Sequence, residues 1–282
     1  MSKQMEARQS PKNDRQGGQQ SGSSEETLKE PKPPFPKQHQ TGPGLESKLD
    51  PKPRYRAESY KPAGKLKDKV ALITGGDSGI GRAVALLYAR EGAQVAIVYL
   101  PVEQSDADET RKVVEKAGAT CLMLAGDLTD AAFCDGVVEK TVQQFGKLDI
   151  LVANAGHQNR KKTLEDVTDE EFDRTFKTNI YSYFRLARAA LRHMQPGSAI
   201  IATSSETGIL GSKNLPDYSA TKGAINAFTK TLAQKVLKKG IRVNAVAPGP
   251  VWTPLNPADE GATPEQVEKF GSQVPMQRPA QP

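Results

Sequence analysis

Residues 69–81 read KVALITGGDSGIG, and this stretch decides the fold. Val70, Ala71, Leu72 and Ile73 form a short apolar run, as a strand buried on both faces requires. Glycines follow at Gly75, Gly79 and Gly81. From Ile80 the apolar residues recur at helical spacing, at Ile80, Val84, Leu87 and Tyr88. A strand, a glycine-rich turn and a helix, in that order, is the setting in which a glycine pattern signifies nucleotide binding. Glycine permits the tight turn and lets backbone approach a pyrophosphate over the positive end of the helix. The plainer reading is a βα turn that binds nothing, and the flanking strand and helix weigh against it.

Outward from this turn the chain alternates strands with helices. Apolar runs predict strands at 94–100 (QVAIVYL), 119–125, 149–153, 198–203 and 241–246. Between them lie helical patterns over roughly 104–117, 129–145, 169–193 and 217–238. Phe172, Phe176, Ile180 and Phe184 mark one face of the third of these. Such alternation predicts right-handed βαβ units and a doubly wound α/β fold with a parallel sheet. Ligands of such sheets sit outside the carboxyl ends of the strands. The polar clusters fall there: Gly126-Asp127-Leu128, Asn154-Ala155-Gly156, Ser204-Ser205 and Pro248-Gly249-Pro250. Each alone is explained by turn chemistry, but four together point to one cleft.

The first 65 of the 282 residues differ in kind from the rest. They hold 9 of the 20 prolines and runs such as RQGGQQSGSS, with almost no clustered apolar residues. This composition predicts a disordered extension over 1–65 and one folded domain over 66–282. Its later part, about 50–65, carries Tyr55 and Tyr60 and is expected to drape over the domain. The extension has a net charge of +5 against +6 for the whole chain, so the basic balance belongs to the tail. Its cations are interspersed with acids, and no basic face with aromatics appears, so no nucleic-acid partner is expected. The start MSKQMEARQS has no apolar core of a secretory signal, and no run reaches the roughly 18 apolar residues of a membrane span. Cys121 and Cys134 lack CxxC spacing and read as buried thiols. A cytoplasmic, reducing location with no metal site and no membrane partner follows as the expectation.

Tyr218 and Lys222 stand four apart on the alanine-rich helix and share a face. Alone, such a pair is usually packing plus a snorkelling amine. Ser205, 13 residues earlier, and Asn179 in the preceding helical stretch change its weight. With TGxxxGxG at the first turn, the ordered set Asn179, Ser205, Tyr218, Lys222 resembles the short-chain dehydrogenase/reductase superfamily, over about residues 66–282. The phrases YLPVEQSDADET, DYSATKGAI and IRVNAVAPGPVWTPL resemble a subgroup of general-stress oxidoreductases, an aldehyde reductase and glucose and ribitol dehydrogenase homologues.

The resemblance implies a Rossmann fold and an NAD(P)-dependent exchange of hydride between nicotinamide and an alcohol, sugar, aldehyde or ketone. Tyr218 would exchange the proton with the substrate oxygen, Ser205 would hydrogen-bond that oxygen, and Asn179 would support a water-linked relay. Lys222 would hold the nicotinamide ribose and, with the oxidised nicotinamide nearby, lower the tyrosine pKa by its charge. Gly75, Ser78, Gly79, Ile80 and Gly81 would take the pyrophosphate. Asp127, with Leu128, would meet the adenine, and Asn154 and Gly156 would follow strand four. Pro248, Gly249, Val251 and Thr253 would hold the carboxamide.

Two departures stand out. Tyr99 occupies the end of strand two, where NAD-preferring relatives carry an acid, and Ser78 stands where an arginine would favour NADP. The choice between NAD and NADP leans slightly to NADP. The family pattern also continues into a seventh strand, which is missing here, so strand six is expected at an exposed sheet edge. His157, Gln158, Glu206, Ile209, Leu210, Trp252 and Leu255 are the candidate substrate contacts. The family further implies a homo-oligomer, dimer or tetramer, using Ala187, Leu191, Ala227 and Phe228 on two long helices. The alternative function is a non-catalytic dinucleotide-binding protein or an inactive fragment.

Overall fold

The computed structural model describes residues 30–282. Six strands form one parallel sheet: β1 (Val70–Thr74), β2 (Gln94–Tyr99), β3 (Cys121–Ala125), β4 (Ile150–Ala153), β5 (Ala199–Thr203) and β6 (Arg242–Val246). Their order is β3-β2-β1-β4-β5-β6, so the order reverses between β1 and β4. The apolar run of the first strand alternates as a pleat demands. Ala71 and Ile73 enter the core under α1 (Gly79–Arg90) and α2 (Gln104–Lys116), whereas Leu72 faces the opposite layer. That layer contains α3 (Ala131–Phe145), α5 (Ser182–Ala190) and α7 (Pro216–Val236).

The helical stretch expected over 169–193 is interrupted. It comprises α4 (Asp169–Phe176), a π-helical turn over Lys177–Tyr181, and α5. Thr168 opens α4 through a capping box with Glu171, whose N–H donates to Thr168 Oγ1 at 3.2 Å. Short helices α6 (Thr207–Leu210) and α8 (Pro264–Glu268) follow β5 and β6. β6 forms one sheet edge, and Val246 on it is exposed. Cys121 and Cys134 are buried, and burial pushes their thiols up to about 12 and about 11. Ala187, expected on an outer helix face, is buried in the core, whereas Phe184 beside it is exposed. Among the described residues no helix is long and apolar enough to cross a membrane.

The described part of the extension, from residue 30, departs from its expected disorder. Residues 1–29 lie outside the described residues, but the compact unit spans Pro31–Pro282 rather than beginning at 66. Composition concealed this because the segment has few apolar residues, and the few it has are spent on contacts. Phe35 and Leu49 are buried, and Tyr55 packs with Ala83, Leu86 and Val113. Glu46 is only 2% exposed and faces Arg82, itself 3% exposed. Arg82 also approaches Asp106 at 3.7 Å, and Asp106 accepts hydrogen bonds from the N–H groups of Glu46 and Ser47. Burial pushes Glu46 above the ordinary carboxylate value, with Arg82 opposing the shift.

Removing one member of such a buried ionic group leaves the others uncompensated. Arg82→Met is therefore expected to destabilise the chain by about 3–5 kcal/mol. Urea denaturation measures this, and a midpoint equal to that of the parent would mean the group is solvated.

Candidate active site

A cleft of about 400 Å³ opens at the carboxyl ends of the strands. The turn after β1, the ends of β3, β4 and β5, and the segment from Pro248 to Glu260 all line it. The four polar strand ends read from the sequence therefore meet, at the point where strand order reverses. Two glycines make this geometry possible. Gly79 sits at φ +49°, where side chains are strained. A Cβ on Gly81 would lie 1.8 Å from the Gly75 carbonyl oxygen, so only glycine lets α1 start this close to β1. Gly81 thus supports the turn without lining the cleft, while Gly75, Ser78, Gly79 and Ile80 line it.

Asn179, Ser205, Tyr218 and Lys222 converge from three elements. Tyr218 and Lys222 lie one turn apart near the start of α7, with the Lys222 amine 5.2 Å from the Tyr218 ring centroid. Lys222 Nζ donates to the Thr203 carbonyl at 2.8 Å, which anchors it to the end of β5. Ser205 follows that strand and accepts from the Thr207 N–H and hydroxyl at 3.2 and 3.1 Å. Asn179 comes from the π-helical turn, a distortion frequent at functional sites. Its amide donates to the His157 carbonyl at 2.9 Å and to Thr221 Oγ1 at 3.0 Å, and its oxygen accepts from the His157 N–H at 2.7 Å. Asn179 stands behind the cleft wall. A Cβ on Gly156 would sit 3.7 Å from the Lys222 amine and 3.8 Å from Asn179 Oδ1, so both groups flank that glycine.

Burial governs the charge states. It pushes Tyr218 up to about 12, against a hydrogen bond with Ser205 and the charge of Arg160. It pushes Lys222 down to about 8. The expected lowering of the tyrosine pKa by the lysine ammonium is therefore reversed in the chain alone. The amine is spent on the Thr203 carbonyl, and desolvation of the phenolate dominates.

At the other end of the cleft, Tyr99 donates its hydroxyl to Gln104 Oε1 at 2.8 Å. Two acids beside it escaped the sequence reading. Asp77, inside the glycine turn, is raised to about 6 by burial, and Glu103 is raised to about 8 by burial and by Asp77. Glu103 accepts from the Leu100 N–H at 2.8 Å, just past β2. Their signal was acidity in the loops on either side of β2, not at its end. Asp77, largely ionised at neutral pH, would oppose an added phosphate at this end of the cleft, and Glu103 would join it only above about pH 8, which offsets the lean given by the missing strand-two acid. Asp127 lines the cleft near them, its carboxylate accepting from the Thr129 N–H at 2.8 Å.

Asn154 ties the strand ends together rather than reaching far into the cleft. Its amide donates to the Thr74 and Gly75 carbonyls at 3.1 and 3.2 Å and accepts from Thr203 Oγ1 at 3.0 Å. Pro248, Gly249, Val251 and Thr253 form the opposite rim. His157, Gln158, Glu206 and Leu255 also line the cleft. Ile209 and Leu210 are instead exposed, because α6 turns them away from the cleft. Trp252 is fully buried in a small core beyond the rim. Sequence reading also missed Arg160, whose guanidinium pairs with the buried Asp259 at 2.6 Å, and Gly44, which reaches the cleft from the extension.

The glycine cradle, the buried amine and the acceptor-rich far end together fit a dinucleotide. A family model described as enoyl-(acyl carrier protein) reductase matches residues 75–282. General stress protein 39 of Bacillus subtilis is 58% identical over 241 residues, 85% of this chain and 83% of that protein. Glucose and ribitol dehydrogenase of Daucus carota is 48% identical over 254 residues, covering 88% and 86%. The crystal structure of a short-chain dehydrogenase from Burkholderia cenocepacia in complex with NADP superposes with a TM-score of 0.70 at 32% identity, covering 77% of this chain and 86% of that one. The chain belongs to the short-chain dehydrogenase/reductase family of NAD(P)-dependent oxidoreductases.

Proposed function

We propose that the cleft reduces the carbonyl of a small hydroxyl-bearing substrate, with Tyr218 as proton donor. The observation that carries this is the buried Tyr218 phenol, raised to about 12 and so neutral at physiological pH. A neutral phenol gives a proton to an oxygen that is gaining charge, whereas alcohol oxidation first needs a phenolate. Ser205 shares that oxygen through its hydroxyl. Lys222 holds the nicotinamide ribose, and Asn179 fixes the 157 backbone so that the floor of the cleft stays in register. The nicotinamide, when bound, supplies or takes up the hydride.

The substrate end favours polar partners. His157 and Glu206 line it, while the apolar Ile209 and Leu210 point elsewhere. Sugar aldehydes and their polyols fit this lining better than long apolar aldehydes do, and the name of the Daucus carota relative agrees. The exposed Phe184, in edge contact with Phe228 across two helices, gives an apolar face for a homo-oligomer, and the reaction suits the cytoplasm. The non-catalytic alternative gains no specific observation, because all four proton-transfer residues stand together.

Three outcomes are expected. Tyr218→Phe lowers kcat by about a thousandfold while cofactor affinity stays within a few fold. Normal turnover by this variant, followed at the reduced-nicotinamide absorbance band, overturns the assignment. In the parent chain, kcat/KM for the reduced cofactor is level below pH 8 and falls as pH rises through about 8, where Lys222 loses its charge. The Tyr218 phenol, at about 12, titrates well above that limb, and a profile with no limb near 8 removes Lys222 from the role. Finally, above about pH 8, where Glu103 is ionised, Glu103→Gln raises affinity for NADP(H) relative to NAD(H) by about tenfold, since one opposing charge is lost, and the effect fades as pH falls below 8. Titration calorimetry with both cofactors measures the ratio, and an unchanged ratio places Glu103 away from the ribose.

A further inference from the structure

The extension from Phe35 to Pro51 joins two parts of the cleft. At one end, Phe35 stacks on Trp252 with ring centroids 4.3 Å apart, and Phe270 approaches the same indole at 6.1 Å. Phe35, Leu49, Trp252, Ala262 and Val267 form a small apolar core separate from the two that cover the sheet. Every member comes either from the extension or from the lid, residues 250–270, so the lid buries its own apolar residues only with the extension in place. Backbone bonds repeat the connection: Phe35 N–H donates to the Glu268 carbonyl and Gln40 N–H to that of Pro257, both at 2.8 Å. The Trp252 indole N–H donates to the Pro51 carbonyl at 2.8 Å. Gly44 is pressed so closely to the lid that a Cβ there would come within 2.7 Å of Ala258 and Pro254.

At the other end, Glu46 accepts the N–H of Gly79 at 2.6 Å and meets Arg82 one turn into α1. The lid touches the same glycine, since a Cβ on Gly79 would lie 2.9 Å from the Thr253 methyl. Gly42, Pro43 and Gly44 themselves line the cleft. A dinucleotide lying along this cleft has the glycine turn beneath it and the lid at its rim. A shift of this lid would pull Trp252 from Phe35.

We propose that the extension is a working strap of the cofactor site, with Phe35 and Glu46 as positioning residues. Phe35 holds the lid closed, Glu46 fixes the backbone of the glycine turn, and together they set how fast the dinucleotide leaves. This rests on reading the cleft as a dinucleotide site.

Trp252 is the only tryptophan in the chain, so its emission reports on the strap and lid directly. The test uses the full chain and stopped-flow displacement of bound NADH or NADPH, followed by nicotinamide fluorescence. In Phe35→Ala, Trp252 emission shifts to the red and the reduced cofactor dissociates about tenfold faster, because most affinity changes at one site appear in the off-rate. The hydride step in a single turnover stays within about twofold, a split that a general loss of structure would not give. Phe35→Leu restores slow release. Glu46→Gln, which keeps an oxygen for Gly79 but not the charge facing Arg82, accelerates release without moving the Trp252 emission. It also decides the matter if Phe35→Ala fails to fold. Unchanged release in a cooperatively melting Glu46→Gln chain overturns the strap's role alone. A parent chain that binds neither reduced cofactor overturns the reading of the cleft, and the strap's role with it.

Discussion

The approach of Gly81 to the Gly75 carbonyl is the constraint from which the rest of the site follows. A single methyl at 81 would overlap that oxygen and also crowd the Asn154 amide at 2.8 Å. With the methyl absent, α1 begins directly over the end of β1, and the Asn154 amide can reach the Thr74 and Gly75 carbonyls. Thr203 then donates to Asn154 Oδ1, and Lys222 donates to the Thr203 carbonyl. One line of hydrogen bonds therefore runs from the first turn, across the ends of β4 and β5, to the amine on α7. The glycine turn and the Tyr218–Lys222 pair are parts of one rim.

That rim explains the charge states. Lys222 is buried because it spans from α7 to the floor of the sheet, and burial costs its ammonium form. Tyr218 is buried beside it, and the same desolvation favours its phenol. A pair that simple electrostatics would make ammonium and phenolate is, in the folded chain, poised on the proton-donating side. Ser205 and Arg160 oppose this for Tyr218, but neither outweighs the loss of water.

The central strands were legible because they are buried on both faces and so read as unbroken apolar runs, as in 95–99 and 150–153, whereas the edge strand β6, mostly exposed, carries Arg242 and Asn244 within its run. That Ser205, Tyr218 and Lys222 share one cleft was legible from their order, because a Tyr and a Lys one helical turn apart follow a strand-end serine. The extension was not. Its ordering depends on Phe35, Leu49 and Glu46, three residues scattered among prolines and polar residues, and on partners some 200 residues away, such as Trp252. No local pattern encodes contacts of that kind. Trp252 was misplaced for the same reason: a large apolar residue beside a cofactor segment suits a substrate wall and a hidden core equally well. Glu103 was not legible because it lies four residues past the strand end, and only the fold brings its carboxylate back to the Leu100 N–H.

The ionic group behind the glycine turn argues that the extension is more than a cover. Burying Glu46, Arg82 and Asp106 costs desolvation that apolar residues of similar volume would not, so stability alone is a poor account of it. Its geometry supplies a better one. Arg82 donates from Nε to the Asp77 carbonyl at 2.8 Å and to Thr110 Oγ1 at 2.9 Å, and from its other end to the Asp106 carbonyl at 3.0 Å. Glu46 holds Arg82 and the Gly79 N–H at once. The backbone on both sides of Ser78 is thereby fixed by side chains from α1, α2 and the extension. Planar, multidentate guanidinium contacts give direction that a greasy patch does not. A turn that needs φ +49° at Gly79 to face its ligand gains from such direction, because glycine gives freedom and something else must remove it.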